Sequence, residues 1–180
     1  MHLIFPGSWD EVRVGLMASD ADMLRLAVVR VGKIRAEGIP ADVANRVMEL
    51  FSHPDSRVRV EAVRAVGLHW CLESAAKLIA GLVLSDDDWH VRLSAISALG
   101  RIGREHCEVR PIVNRSLATL VLDERFDDDE RMQAYNTLLF ADEKISREEY
   151  VKLDPDLPKR FADFSFDRTW TEQLAREPSG

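Results

Sequence analysis

Two stretches of fifteen residues repeat each other along this chain, and this repetition constrains the fold more than any other feature. The segment HPDSRVRVEAVRAVG (53–67) aligns with DDDWHVRLSAISALG (86–100) after a shift of 33 residues. Weaker copies cover residues 20–32 and 128–139. A period of this size is typical of arrays in which each unit buries its apolar face only against its neighbours. The chain is therefore predicted to be a stack of similar units.

The positions that the copies share lie along one side of a helix. Apolar residues recur at i, i+4, i+5 and i+8, which is a helical stripe and not the alternation of a strand. The shared alanines allow a neighbouring helix to approach closely, and the shared glycine is predicted to lie near a helix end, where it relieves the backbone. The aligned residues of the two strong copies are Asp55 with Asp88, Val58 with Val91, Arg59 with Arg92, Ala62 with Ala95, Val63 with Ile96, Ala65 with Ala98, Val66 with Leu99 and Gly67 with Gly100.

Each copy is followed by a second apolar stretch of helical spacing. We therefore expect a unit of helix, turn and helix, because no Asn-Gly or Asp-Gly turn joins alternating runs. The string SWDE (8–11) has the form of a capping box and predicts a starting helix. The predicted layout of the single domain 1–180 is a cap helix at 8–18, repeats at 20–52, 54–84, 86–122 and 127–153, and a C-terminal cap segment at 154–180.

The strings D-x-x-V-R-x-x-A-(V/I)-x-A-(V/L)-G at 55–67 and 88–100 resemble HEAT repeats, in particular the short bacterial HEAT-like repeats also found in phycobilisome lyases. The resemblance implies an all-α, right-handed α-solenoid of about four HEAT-like helix pairs with N- and C-terminal capping helices. It also implies function through an extended surface, usually the concave one lined by the second helices.

The stretch SDDDWHVR (85–92) has the composition of a site, but its place in the repeat favours a helix start. Asp is a preferred N-cap, and further carboxylates complement the positive end of the helix dipole. Adjacent carboxylates cannot all turn to one ion, and the alternating D-x-D-x-D-G calcium pattern is absent. The alternative is a partner contact by Asp86 and Asp87. Trp89 is predicted to pack against the preceding repeat, with a binding hot spot as the alternative, and His90 to be a surface or capping histidine.

One arginine recurs at the same place in three copies, as Arg59, Arg92 and Arg131. In a stacked array such a side chain can bridge to a carboxylate or a carbonyl of the adjacent repeat, and we expect this structural role. Ligand binding is the alternative. The copy at 20–32 has Leu24 at this place.

Charge is distributed unevenly along the chain. Residues 1–110 carry 14 Lys and Arg against 15 Asp and Glu, whereas residues 111–180 carry 10 against 16. An acidic chain repels phosphate backbones and is better suited to a basic protein surface. The predicted partner-binding residues are Asp86, Asp87, Trp89, Asp123, Glu124, Asp127, Asp128, Asp129 and Glu130.

The sequence shows no motif of a known catalytic or cofactor site. It has no His-x-x-x-His pair, no Gly-rich phosphate loop and no G-x-S-x-G. We therefore expect no enzyme activity, no cofactor, no metal, no nucleic acid and no membrane partner. The expected function is a cytoplasmic protein-interaction module for a basic partner, by analogy an immunity-type inhibitor of a toxin. The alternatives are a phycobilisome-lyase-like or chaperone-like factor, and a DNA-binding glycosylase-type enzyme, which the mixed charge of the second helices disfavours.

Aromatic residues crowd behind the turn-rich connector LDPDLPKR (153–160). Phe161, Phe164, Phe166 and Trp170 lie within ten residues of one another. A cap packed on the fourth repeat is the first interpretation of this segment. An aromatic anchor for a partner, or a segment lying in the array's own groove, is the alternative.

Overall fold

The computed structural model describes residues 8–34, 38–153 and 166–177. Within these ranges the chain forms ten α-helices and no strand, so the prediction of an all-α array is confirmed. None of the helices in these ranges is long and apolar enough to cross a membrane. The helices are α1 (Trp9–Gly15), α2 (Ala21–Gly32), α3 (Ala41–Glu49), α4 (Ser56–Val63), α5 (Ala76–Ser85), α6 (Trp89–Glu105), α7 (Arg110–Leu122), α8 (Asp128–Ala141), α9 (Arg147–Lys152) and α10 (Arg168–Arg176).

The helices form two rows with the core between them. The first row is α2, α4, α6 and α8, each packed on the next, and the second row continues from α5 through α7 to α10. The helical stripe of the sequence explains this arrangement, because its apolar side chains are the ones that both rows bury. Fully buried members of the core include Val28, Val63, Ile96, Leu99, Ile79, Val113, Leu117 and Leu138.

An aspartate begins each helix of the first row. These four residues occupy matched places in the repeat, and each side chain accepts a backbone N–H that the first turn leaves without a partner. The recurrent acid of the sequence is thus explained by capping. The bonds run to Asp20 from Met23, to Asp55 from Arg57, to Asp88 from His90 and Val91, and to Asp127 from Glu130.

The repeated glycine allows close packing of neighbouring first helices, and the predicted place near a helix end holds for Gly32, the last residue of α2, but not for Gly100. Gly100 lies inside α6, and Gly67 lies inside a π-helical segment, Arg64–His69, that extends α4. No glycine among the described residues has a positive φ. A Cβ at Gly67 would overlap the Cβ of Ala98, and a Cβ at Gly100 would overlap Cγ2 of Thr137. Glycine stands at these places because the next first helix passes too close for any side chain.

The two ends of the array are covered by short helices. At the N-terminus, Arg13 of α1 pairs with Asp42 of α3 at 2.7 Å. At the other end, Phe166 and Trp170 pack on Tyr135 of α8, while α10 packs along α7. The described part of the aromatic segment therefore lies against the array as a cap. Phe161, Phe164 and residues 154–160 of the connector lie outside the described residues.

Candidate partner-binding site

The three aspartates before α6 have three different environments. Asp88 caps the helix, and hydrogen bonds from the Ser56 hydroxyl and from the backbone lower its pKa. The side chain of Asp86 is 4% exposed and accepts two hydrogen bonds from Arg59, from Nε at 2.9 Å and from Nη2 at 2.7 Å. Asp87 is exposed to solvent and lies 2.5 Å from the same Nη2. The preceding repeat already engages the carboxylate of Asp86, and the partner contact of this residue stays a prediction.

The recurring arginines join neighbouring repeats, as the sequence predicted. Nη1 of Arg59 donates to the carbonyl oxygens of His53 and Pro54, and Nη1 of Arg92 donates to those of Asp86 and Asp87, which are the matched residues one repeat later. The other side of each guanidinium group binds a carboxylate of the next repeat. The hydrogen bonds that the two arginines donate to Asp86 and Glu130 raise the pKa of both guanidinium groups above its ordinary value.

The third arginine, Arg131, shares part of this bonding pattern. Arg131 donates to the carbonyl oxygen of Val121 at 2.9 Å, in the helix of the preceding repeat, and its Nη1 lies 3.0 Å from Asp128. It therefore also links two repeats, but through a carbonyl. The position is a structural joint in all three copies that carry the arginine.

Glu130 is the partner of Arg92. Its side chain is buried, and its two oxygens accept from Nε and Nη2 of Arg92 at 2.7 and 2.9 Å. Glu130 is therefore engaged inside the array, and its partner contact stays a prediction. The register of the repeat contained the missed signal, because Glu130 aligns with Val58 and Val91, which are both fully buried.

The acidic run consists of six carboxylates, Asp123, Glu124, Asp127, Asp128, Asp129 and Glu130, and its members other than Glu130 surround the start of α8. Asp123 pairs with Arg125, whose guanidinium group lowers the pKa of this carboxyl, and Asp127 caps α8. Glu124 and Asp129 are exposed and form no ion pair within the described parts of the chain. Three arginines, at 92, 125 and 131, serve the six carboxylates of the run, so a local excess of negative charge remains.

A groove on the face of the first helices lies beside this acidic run, and we call it the Trp89 groove. It has a volume of about 570 Å³ and lies between α6, α8 and α9. Trp89, expected to pack on the preceding repeat, is instead 51% exposed and lines this groove, with its ring 3.9 Å from that of His90. The lining residues are Trp89, Leu93, Ser97, Asp129, Met132, Gln133, Asn136, Tyr150, Val151 and Leu153.

One wall of the Trp89 groove is the short helix α9. Its start is fixed by a capping box in which Ser146 and Glu149 bond each other's backbone N–H. Tyr150 stacks on Phe140 with ring centroids 4.6 Å apart, and its hydroxyl bonds that of Thr137 at 3.0 Å. Burial raises the pKa of this phenol. The wall is therefore attached to α8 by packing and hydrogen bonding. The repeat pattern does not predict the groove, since α9 has no counterpart in the other copies.

No group of three or more His, Cys, Asp or Glu residues arranged to hold a metal ion lies in the described ranges. The two cysteines, Cys71 and Cys107, are free thiols, the first half-buried and the second exposed. Burial raises the pKa of the Cys71 thiol, so this group is a weaker nucleophile at neutral pH than an ordinary cysteine.

Comparison with known proteins supports the repeat assignment. A family model described as HEAT repeats matches residues 43–138, which is more than half of the 180 residues. The match covers both strong copies, most of the helix α3 before them and most of α8 after them. No curated protein and no solved structure gave a significant match to the chain.

Proposed function

This chain belongs to the HEAT-repeat family, whose members are generally protein-interaction modules, and we propose that it binds a basic protein partner without catalysing a reaction. HEAT repeats are typically non-enzymatic, which supports the second half of the proposal. The polar groups buried between the repeats support it too, because Asp86 and Glu130 are engaged by arginines of the array.

The observation that carries the proposal is the carboxylate excess at the start of α8. Glu124 and Asp129 are exposed without an ion pair in the described ranges, and Asp87 shares Arg59 with a second carboxylate. Exposed charges of one sign attract an oppositely charged partner and speed its association. The net charge of −7 also attracts a basic partner, and it acts over a longer range.

In its most specific form, the proposal is an immunity-type inhibitor that covers a basic toxin such as a nuclease. An acidic inhibitor of this kind would use its carboxylates where the toxin binds phosphates, because both contacts involve the same lysines and arginines. The free thiols of Cys71 and Cys107 support action in the reducing cytoplasm.

The test is a parallel affinity purification from the source cells with wild-type protein and a Glu124→Lys, Asp129→Lys variant. Both positions are exposed, so the variant is expected to fold like the wild type, which circular dichroism checks. We expect a basic protein to be retained by the wild type alone. Its purified form should bind with an affinity that falls steeply as salt concentration rises. Retention of the same protein by both baits, or an affinity independent of salt, would contradict the proposal.

The same purification separates the other functions that the resemblance suggests. A pigment-bearing client would favour a lyase-like factor, and a DNA-dependent signal in fluorescence anisotropy at low salt would favour a glycosylase-type protein.

A further inference from the structure

The Trp89 groove combines exposed apolar walls with a concave shape. Trp89 is 51% exposed, Val151 69% and Leu153 37%, and all three line this one depression. Leaving such large side chains in water is unfavourable by about 25 cal/mol for each Å² of apolar surface. Concave sites with apolar walls and a few polar groups are the usual form of a docking site. Ser97, Gln133 and Asn136 supply those polar groups here.

The charge of the groove is one-sided. None of its ten lining residues is cationic, while Asp129 lies in the lining and the rest of the acidic run adjoins it along the chain. An apolar segment without charge would leave Asp129, which forms no ion pair in the described ranges, without a counter-charge. A segment that carries lysine or arginine beside its apolar anchors satisfies both properties of the groove at once.

The dimensions of the groove set the length of that segment. Along α6 the lining runs from Trp89 through Leu93 to Ser97, which is one face of the helix over about 12 Å. A partner helix spans the same length with about two turns, so that side chains at i, i+4 and i+7 reach the groove. Because α9 is already attached to α8 through Tyr150, the wall does not have to be ordered when the segment binds.

We propose that the Trp89 groove docks an amphipathic cationic helix of the protein partner, on the face of the first helices and not on the concave face of the second helices. This inference rests on the proposed function, since it specifies which part of a basic partner is recognised. Apolar anchors enter between α6, α8 and α9, and a lysine or arginine beside them pairs with Asp129.

The probe is a dye-labelled amphipathic peptide of leucine and lysine, about 14 residues or roughly four helical turns long. A control peptide keeps the lysines and replaces the leucines by serine. Fluorescence anisotropy gives the Kd for wild type, for Trp89→Ala and for Val151→Asp. The matched control is Val14→Asp, which changes a valine of similar exposure, 75%, on a short helix at the other end of the array.

Trp89→Ala and Val151→Asp are each expected to raise the Kd of the leucine peptide by about tenfold or more, as loss of a buried anchor does. Val14→Asp should bind it like the wild type. The serine peptide should bind more weakly and should not distinguish Trp89→Ala from the wild type. A photoreactive group in place of one leucine should crosslink to α6, α8 or α9.

The inference is overturned by unchanged affinity of both groove variants, by an equal loss in Val14→Asp, by crosslinks to α5 or α7, or by absence of leucine-peptide binding to the wild type. The two proposals fail separately. Glu124→Lys, a charge reversal outside the groove lining, is measured with the same peptides. If it raises the Kd of the leucine peptide but Trp89→Ala does not, the acidic recognition stands and the groove is not the docking site. If the Kd of neither peptide changes in Glu124→Lys, the proposal of a basic partner is itself contradicted.

Discussion

The junction of α4 with α6 and the junction of α6 with α8 use the same inner contacts and present different outer surfaces. In the first, Arg59 reaches Asp86 in the turn before α6, and Gly67 faces Ala98. In the second, Arg92 reaches Glu130 inside α8 itself, and Gly100 faces Thr137. The contacts between first helices are thus of the same kind, although the carboxylate comes from a different element.

The outer faces of the two junctions differ in chemistry. A pocket of about 340 Å³ at the α4 junction is lined by Arg25, Arg57 and Arg64, whose charges are close to Asp22, Asp55 and Glu61. The Trp89 groove at the α8 junction is apolar and acidic, and it exists because α9 packs there. The repeat therefore determines how the helices stack, and the departures from the repeat determine what the surface can bind.

The largest expected effect comes from removing the arginine of each junction. Arg92→Leu leaves Glu130 buried without a counter-charge, and the free energy of unfolding should fall by about 3 kcal/mol or more. Arg59→Leu should cost less, because Asp86 lies in a turn and also accepts the backbone N–H of Asp88 at 2.9 Å. Urea denaturation measures both. An equal loss in the two variants would remove the energetic difference between the junctions.

A double variant sharpens this result. Arg92→Leu combined with Glu130→Val places an apolar residue where the other copies have Val58 and Val91, so no buried charge remains. Most of the lost stability should return, since apolar replacement of a buried ion pair is often neutral. A double variant as unstable as Arg92→Leu alone would show that the ion pair contributes more than its replacement can.

The next effect comes from the close approach of the helices. Gly67→Ala and Gly100→Ala should each lower the free energy of unfolding by about 1–3 kcal/mol, because the added methyl group overlaps Ala98 or Thr137. The control is Gly81→Ala in α5, where the Cβ meets open space, and a gain of about 0.5–1 kcal/mol is expected.

Thr137→Ser tests the cause at the second junction. It removes the methyl carbon that Gly100→Ala would strike and keeps the hydroxyl that bonds Tyr150. The pair Gly100→Ala, Thr137→Ser should therefore be more stable than Gly100→Ala alone, whereas Gly67→Ala should not respond to Thr137→Ser. Thermal unfolding would contradict this account if both glycine variants responded alike.

The smallest effect is a pH dependence at the start of α4. Hydrogen bonds from Arg57 lower the pKa of Asp55 to about 2, from an ordinary value of 3.8. A lowered pKa stabilises the fold at pH values above 3.8, and this contribution is lost as the pH falls towards about 2. Asp55→Asn should therefore flatten the dependence of unfolding free energy on pH in this window. If the unfolding free energy of Asp55→Asn fell with decreasing pH as steeply as that of the wild type, the stabilising role of the Asp55 carboxylate would be contradicted.

The sequence predicted the stacking of helices because stacking depends on residues that recur. The matched places in the repeat indicate the roles of Val63 and Ile96, of Arg59 and Arg92, and of the capping aspartates. The same register would have predicted the burial of Glu130, had it been read as a member of the apolar stripe. Composition alone placed it in the acidic surface instead.

Other features depend on contacts between residues without a matched place. α9 and the Trp89 groove are present once, and their formation depends on Tyr150 meeting Phe140 and Thr137. The role of Gly67 and Gly100 depends on the distance between neighbouring first helices, and the local sequence pattern does not give that distance. For this reason the fold could be predicted from the sequence further than the candidate site could.

One consequence of the arginine position concerns where the array opens first. Leu24 of α2 stands where α4 and α6 carry arginine, so no guanidinium group ties α2 to the next repeat from that place. A cross-helix ion pair between α2 and α4, Arg57 with Asp22 at 3.0 Å, is exposed and contributes little. Fraying should therefore proceed from the N-terminal end, with amide hydrogens of α2 exchanging before those of α6. The N-terminal end of the array would then be locally less stable than the end that carries the Trp89 groove.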